Sequence, residues 1–402
     1  MNAPWNSRTI VVKFLQLIFL QLLSSTFLFI PVLVAIKYLG NTDTEYVAYF
    51  SFATNLTIGF TKMVLIVSHS LESKKNDSQK LQLITTSEVK YLVLIVGVQC
   101  IFAIIVLKPD IAMLILLHIG IFSMAIIEHS CQCLFIKLKW KMALRNYSVL
   151  VVFFSALFLI YASSQEINEE SLLACWSVST ILVALFVTFK SRNSSKITKV
   201  PSPEVHQNRS YLALDFVINY GLMQLIYSLG TLFTSSQEML KYRILMFFSI
   251  PTNVLIQVLS TTGLPFIFAN QKNRKFKILA FDAIAIIPIA ITIMAFQLIG
   301  STRISALLGE MWIQVPNSFL LFVLMSLTSV VLAHTTMVIR WHKLTKSLFQ
   351  RRLLFSLVQI PISIFAIYWY GANGILASLS LFNMCFLSIN VWKIVRSKIS
   401  LA

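Results

Sequence analysis

About twelve runs of roughly 20 mainly apolar residues follow one another along this chain of 402 residues, and each can cross a bilayer as a helix. A span surrounded by lipid must satisfy its own backbone hydrogen bonds, so the predicted fold class is all-α. Charged residues make up only 12% of the chain, which is low for a soluble domain. The sequence therefore excludes a soluble enzyme and a disordered chain, and predicts a polytopic membrane protein. The predicted span cores are 14–36, 46–69, 91–107, 111–136, 147–162, 172–189, 211–234, 243–268, 278–299, 315–339, 353–370 and 375–392.

The Lys and Arg residues of the loops alternate between the two sides of the predicted bilayer. With the N-terminus placed in the cytoplasm, 27 of the 33 Lys and Arg residues lie in inside segments, 5 lie outside, and Lys62 lies within a span. Such a bias toward cytoplasmic loops sets the orientation of membrane proteins. The alternation predicts about twelve spans with both termini in the cytoplasm. It also explains the net charge of +18 without a nucleic-acid partner, and makes membrane lipids the expected partners of the basic loops.

A polar segment near the middle of the chain divides the spans into two sets of six. We predict an N-terminal six-helix half at 1–189, a cytoplasmic linker at 190–210 and a C-terminal six-helix half at 211–402. Many transporters have two such halves, with the solute path between them. The outer loops are too short for an autonomous catalytic domain, and P-loop, H-E-x-x-H and C-x-x-C motifs are absent. We therefore expect no enzymatic activity, no catalytic residue, no metal and no cofactor.

Four charged side chains fall inside predicted spans, where charge is costly and usually functional: Lys62, Glu128, Asp215 and Asp282. Lys62 and Glu128 lie at a similar depth, roughly 10 Å below the inner surface at about 1.5 Å per residue, and can therefore form an ion pair. Lys62 can alternatively reach the inner headgroups, which the shorter Glu128 cannot. Asp215 and Asp282 lie nearer the inner boundary and can equally be interfacial residues.

Uncharged polar residues form a second layer in the first spans of both halves: Gln16, Gln21, Ser24, Ser25 and Thr26 in span 1, Asn219, Gln224 and Tyr227 in span 7, and Asn253 and Gln257 in span 8. Gln224 and Tyr227 share a helix face, and two interpretations stay open: a hydrogen-bonding wall for a hydroxyl-rich solute, or contacts that hold helices together. His129 adjoins Glu128 but points about 100° away, so it need not share the same site. The substrate-path candidates are Lys62, Glu128, His129, Asp215, Asn219, Gln224, Asn253, Gln257 and Asp282.

Two short segments carry a resemblance to a known family. The segment 39–49 (LGNTDTEYVAY) resembles the first outer loop of O-antigen-type polysaccharide flippases, which typically has Leu-Gly, a polar turn, Phe-Gly and a Tyr entering span 2. Here Glu45 and Tyr46 replace the Phe-Gly pair. The segment from Leu229 through Tyr242, followed by Pro251 and Pro265, resembles the entry to span 8 but lacks the usual Gly before the Tyr. The chain is thus similar to flippases of the multidrug/oligosaccharidyl-lipid/polysaccharide exporter superfamily.

The resemblance implies that the protein moves an undecaprenyl-pyrophosphate-linked oligosaccharide across the bacterial inner membrane by alternating access. It further implies an ion gradient of H+ or Na+ as the driving force, with Glu128 or Asp215 as the coupling residue. Cations such as Lys62 would suit the pyrophosphate, and the polar faces of spans 1, 7 and 8 would suit the sugars.

Two other classes remain as alternatives. A major-facilitator-type solute transporter also has two halves of six spans, but the loop between spans 2 and 3 lacks the Gly and Arg of its signature. A membrane polysaccharide polymerase or glycosyltransferase would need acidic residues at the outer surface, where Glu166, Glu169 and Glu170 form the one acidic cluster. We interpret that cluster as solvated surface.

Overall fold

The computed structural model describes residues 45–66, 86–107, 110–136, 139–164, 168–192, 210–219, 316–342 and 344–396, with scattered positions between 16 and 31, 221 and 245, and 286 and 294. The described residues are helical apart from short connections, and none of them is in a strand. The continuous helices are α1 (Glu45–Phe60), a π-helical segment (Thr61–Ile66), α2 (Thr86–Leu107), α3 (Ile111–Ile136), α4 (Trp140–Ser164), α5 (Glu169–Arg192), α6 (Pro316–Trp341) and α7 (Thr345–Arg396).

Among the described residues, five helices are long and apolar enough to cross a membrane. Their apolar stretches are Ile111–Leu134, Lys141–Ser163, Glu169–Phe189, Ser318–Arg340 and Thr345–Lys393. Large apolar side chains such as Ile115, Leu159 and Leu354 lie exposed on these helices, while Ser, Thr and charged side chains are buried. This distribution fits a protein whose outer faces contact lipid.

The observed helices follow the predicted spans and extend several of them. Predicted span 111–136 coincides with α3, whereas the short prediction 147–162 is one part of the 25-residue helix α4. The predicted span begins later than α4 because Lys141, Arg145 and Asn146 lower the hydropathy of the first turns of this helix. These residues are nevertheless helical. Predicted spans 243–268 and 278–299 lie almost wholly outside the described residues.

The chain separates into two compact units, Met1–Pro201 and Ser202–Ala402. In the first unit, Trp176 of α5 is fully buried and stacks at 6.0 Å on the ring of Phe27, while Phe50 of α1 meets it edge-on at 4.7 Å. Helices α3 and α5 approach closely at Gly120, where a Cβ would lie 2.8 Å from the Cα of Ser177. Aromatic packing and a close backbone contact thus hold this unit together.

In the second unit, α7 is a hairpin of two helices. A straight helix of 52 residues would extend about 78 Å, more than twice the hydrocarbon thickness. Gly371 breaks it with a positive φ of 53°, which glycine adopts readily. Ser363 then donates a hydrogen bond to Ser378 at 3.1 Å, which requires the two limbs to lie side by side. The Glu238 carboxylate accepts a 2.9 Å hydrogen bond from the Ala372 amide and so caps the second limb.

Candidate functional site

A buried carboxylate lies at the centre of the first unit. Glu128 of α3 is completely buried, and its Oε1 lies 3.1 Å from the Nζ of Lys62, which is itself only 2% exposed. Ser24 donates to the carboxylate at 2.8 Å, Gln132 donates at 2.9 Å, and the Tyr147 hydroxyl donates a third hydrogen bond. Four donors around one carboxylate stabilise its ionised form strongly enough to offset much of the cost of burying a charge.

These side chains come from four different predicted spans. Ser24 belongs to span 1, Lys62 to the π-helical segment of span 2, Glu128 and Gln132 to α3, and Tyr147 to α4. The carboxylate therefore links four helices through polar contacts within a largely apolar bundle. A change in its charge would weaken all of these links together.

A change of helix type places Lys62 opposite Glu128. The hydroxyls of Thr57 and Thr61 donate to the carbonyls four residues earlier, at 2.9 and 2.8 Å, and such bonds bend helices. The α-helix ends at Phe60, and Lys62 follows in the first turn of the π-helical segment. π-Helical turns are rare and occur frequently at functional sites.

A polar seam continues from this site between α1, α2 and α3. The Gln99 side chain donates to the carbonyl of Ala53 at 3.1 Å and accepts from Thr57 at 3.1 Å. The Tyr49 hydroxyl donates to the Gln99 carbonyl at 2.7 Å and lies 2.8 Å from Nε2 of His118. His118 bonds through Nδ1 to a carbonyl of its own helix, Leu114 O, as a structural histidine would. The seam gives the first unit a continuous line of hydrogen-bonding groups within an apolar bundle.

A second buried carboxylate lies in the second unit. Asp215 is 2% exposed and accepts from Nη2 of Arg340 at 2.8 Å and from Nε of Arg352 at 2.6 Å. Arg352 also donates to the Asn219 side chain and places its guanidinium 4.9 Å from the centre of the Phe386 ring. This site therefore contains two cations around one carboxylate.

The fold of the chain is similar to that of solved transporters over almost its whole length. A multidrug resistance MATE family transporter of the MOP superfamily, in an outward-facing conformation, has a TM-score of 0.71 at 12% identity, covering 96% of this chain and 95% of that chain. A MOP superfamily transporter from Pyrococcus furiosus Vc1, described by a binding pocket of reverse polarity, has a TM-score of 0.69 at 11% identity over 96% and 95% of the two chains. No family model and no curated protein matches the chain.

The chain has the fold of the MATE transporters. The MATE fold consists of twelve helices, so the predicted all-α, polytopic fold class is confirmed. The prediction of a multi-pass integral membrane protein is confirmed as well, and the bacterial inner membrane is consistent with it. The cytoplasmic location of the two termini stays a prediction, as does the division into halves at 190–210.

Within this MATE fold, five of the nine substrate-path candidates are described. The predicted ion pair of Lys62 and Glu128 is present, so Lys62 does not extend to the headgroups. Asp215 and Asn219 come together around Arg352. His129 is buried and contacts Cys133 on the next helical turn, with 3.7 Å between Nδ1 and Sγ. Gln224, Asn253, Gln257 and Asp282 lie outside the described residues, and the role of all nine in a substrate path stays a prediction.

Sequence reasoning predicted the Lys62 partner of Glu128 but missed the neutral donors of Glu128 and both cations of Asp215. Arg340 and Arg352 counted only as inside loop charges, and Tyr147 as an apolar residue of its span. One signal was available for the arginines, because a buried Asp215 requires cations at its own depth and both arginines flank the short connection after α6. No spacing in the sequence indicates that Ser24 or Tyr147 contacts Glu128.

Proposed function

We propose that the chain is a secondary active membrane transporter that works by alternating access. The observation that carries the proposal is the Glu128–Lys62 pair, a fully buried ion pair that joins four spans in a chain with the MATE fold. Ionisable residues within a membrane usually mark ion and substrate pathways. A carboxylate that joins several helices is also well placed to turn a change of charge into a change of helix packing.

In this proposal Glu128 is the coupling residue and a proton is the coupling ion. The described neighbours of the carboxylate are donors: an ammonium, two hydroxyls and an amide NH2. A sodium ion needs several oxygen ligands and would be repelled by Lys62 at 3.1 Å, whereas a proton needs only one oxygen. Protonation removes the negative charge, leaves the Lys62 ammonium without its counter-charge, and so favours a conformation that brings Lys62 to water.

The coupling role is tested by a neutral replacement of the pair that keeps its shape. Lys62→Gln/Glu128→Gln retains polar groups of similar size and removes both charges, so we expect a folded protein without a proton response. The response is the change in backbone hydrogen exchange in α3 and α4 between pH 7.5 and pH 3.5, corrected for intrinsic rates; the range extends to acid because four donors keep Glu128 ionised near neutral pH. Lys141→Gln at the start of α4 is the matched control. A wild-type response in the double variant would show that the pair is only structural.

The proposed cargo is an undecaprenyl-pyrophosphate-linked oligosaccharide. Support comes from the flippase-like segments at 39–49 and 229–242 and from the excess of cations, 33 against 15 acidic residues. The competing cargo is a small solute, which the MATE fold favours because one solved structure with this fold is a multidrug resistance transporter. Both cargoes fit the coupling mechanism above.

Deletion of the gene in its host separates the two cargoes. Loss of a lipid-linked oligosaccharide flippase would leave lipid-linked repeat units facing the cytoplasm and reduce surface glycan at least severalfold. Loss of a polymerase would instead leave single repeats on the outer side. Normal surface glycan together with higher sensitivity to small toxic compounds would overturn the flippase proposal and favour a small-solute exporter.

A further inference from the structure

Two turns of the chain meet at the Gly371 end of the α7 hairpin. One is the turn of the hairpin itself, and the other is the connection between predicted spans 7 and 8, which contains Ser235 and Glu238. The Glu238 carboxylate accepts a hydrogen bond from the first backbone N–H after the kink, that of Ala372, and so joins residues 134 positions apart. The predicted topology places this contact at the outer end of the second unit.

The absence of a side chain at position 371 makes room for Glu238. A Cβ there would lie 2.6 Å from Glu238 Oε2 and 3.0 Å from its Cγ and Cδ, closer than side chains normally approach one another. Glycine at 371 therefore serves two purposes, because it permits the positive φ of the kink and lets the carboxylate approach the backbone. Any larger residue would push Glu238 away from Ala372.

The spacing of Ser235 and Glu238 gives the same carboxylate a second partner. In the pattern Ser-x-x-Glu at the start of a helix, the Ser hydroxyl accepts from the backbone N–H of Glu, and the Glu carboxylate accepts from the backbone N–H of Ser. The first of these bonds is present, with 3.3 Å between Glu238 N and Ser235 Oγ. The second needs only rotation of the Glu238 side chain. Glu238 can therefore cap its own helix or the second limb of α7.

Apolar packing continues directly below the contact. Tyr242 lies one turn further along the helix from Glu238, on the same face, and is only 5% exposed. It belongs to one apolar cluster with Ala372 and Ile375 of the second limb. Release of Glu238 would therefore free the turn and the start of the second limb, while the apolar cluster keeps the rest of the two helices together.

We propose that Glu238 is a releasable clasp that closes the outer end of the second unit. In the closed arrangement the carboxylate accepts from the N–H of Ala372, and in the open arrangement it accepts from the N–H of Ser235. Because the carboxylate keeps a backbone donor in both arrangements, the free energies of the two arrangements stay close enough for exchange. The part of the clasp in transport rests on the proposed alternating access, whereas the exchange of partners does not.

The closed arrangement is tested by backbone hydrogen exchange of the full chain in phosphatidylcholine nanodiscs. Glu238→Ala removes the bond to Ala372, so we expect exchange in the first turn of the second limb to be about tenfold faster, the size expected for a hydrogen bond to a charged group. Glu170→Ala is the matched control, since Glu170 is an exposed carboxylate in the first turn of α5 in the other unit. Unchanged exchange in Glu238→Ala, or equal acceleration in Glu170→Ala, would overturn the clasp.

The exchange of partners is tested by Gly371→Ala, which displaces the carboxylate from Ala372 without removing it. We expect faster exchange at Ala372 together with slower exchange at the Ser235 amide, because Glu238 then bonds to Ser235. In Glu238→Ala the Ser235 amide should gain no such protection. Faster exchange at both amides in Gly371→Ala would show that the released carboxylate takes no second partner, and would overturn the proposal.

A second pair of variants covers the case in which Gly371→Ala does not fold. Ser235→Pro and Ser235→Ala both lose the hydroxyl, but only proline also lacks the backbone N–H that the open arrangement needs. Exchange at Ala372 should therefore be about threefold slower in Ser235→Pro than in Ser235→Ala, and equal rates would overturn the exchange of partners. The proton response of α3 and α4 tests the proposed transporter in the first unit, so failure of that proposal and failure of the clasp are observed separately.

Discussion

Each of the two compact units contains a buried carboxylate that is ion-paired, Glu128 in the first and Asp215 in the second, and the two differ in charge and in the helices they join. Glu128 has one cation and three neutral donors, so its network is neutral overall. Asp215 has two arginines, so its network carries an excess positive charge. Glu128 joins four spans of its unit, while Asp215 joins span 7 to the facing ends of α6 and α7.

The difference separates two tasks that a buried charge can perform in a membrane. A buried pair whose charges cancel is destabilised when one of the two charges is lost, so a single proton changes it greatly. A network with two cations around one carboxylate keeps a net positive charge after a proton is bound or lost. We therefore expect the Glu128 pair to depend more strongly on its full set of charges than the Asp215 network, and four predictions test this difference.

Glu128→Ala should give the largest loss of stability. The variant leaves the Lys62 ammonium, 2% exposed, without its counter-charge, and breaking a buried ion pair from one side costs about 3–5 kcal/mol. Unfolding in mixed micelles measures the loss. Lys62→Met/Glu128→Leu is the control, since replacing both charges by apolar groups should restore most of the stability. A loss below about 1 kcal/mol in Glu128→Ala would show that the pair is hydrated and would exclude Glu128 as the proposed coupling residue.

Asp215→Ala should be less destabilising, by about 2 kcal/mol, the value expected for lost hydrogen bonds between charged groups. The loss is smaller because Arg352 is partly exposed, stacks on Phe386 and can extend toward the headgroups. The same unfolding assay in mixed micelles measures the loss. A loss as large as that of Glu128→Ala would remove the distinction between the two carboxylates.

Sequence alone predicted the described helices and, of the two buried ion-paired carboxylates, the pairing of Glu128 with Lys62. Hydropathy located the spans because lipid imposes length and apolarity on each of them, and equal depth was enough to pair Lys62 with Glu128. It could not predict the donors from spans 1 and 5, because Ser24 and Tyr147 are common residue types with no spacing relative to Glu128. The rotation of one helix against another decides such contacts, and it depends on packing over the whole unit.

Counting Lys and Arg by side of the membrane, by contrast, gave no reason to pair arginines of the second unit with Asp215. Arg340 and Arg352 counted among the inside charges of the predicted topology, and that role was sufficient to explain them in the sequence. The structure shows that the same arginines also neutralise Asp215. The hairpin geometry that brings Lys393 to Ser347 depends on the φ of Gly371 and on Glu238, a residue from a distant segment.

Tyr147→Phe removes one neutral donor from Glu128 and keeps the ring in place. We expect a loss of about 1 kcal/mol, since the carboxylate retains Lys62, Ser24 and Gln132. Unfolding measures the loss, and hydrogen exchange in α3 and α4 should show the proton response at higher pH than in the wild type because the ionised carboxylate is less stabilised. Tyr161→Phe on the same helix is the control. An unchanged proton response would exclude Tyr147 from the coupling network.

Arg352→Lys should have the smallest effect and is the most specific test of the second site. The substitution keeps the positive charge, so the attraction to Asp215 and to anionic lipid remains. It removes the fork that bonds Asp215 and Asn219 together, and it weakens the contact with Phe386. We expect a loss of about 0.5–1 kcal/mol in unfolding, because the charge remains while the bridging hydrogen bonds are lost. A loss as large as that of Asp215→Ala would show that the guanidinium fork, rather than the charge, holds Asp215 in place.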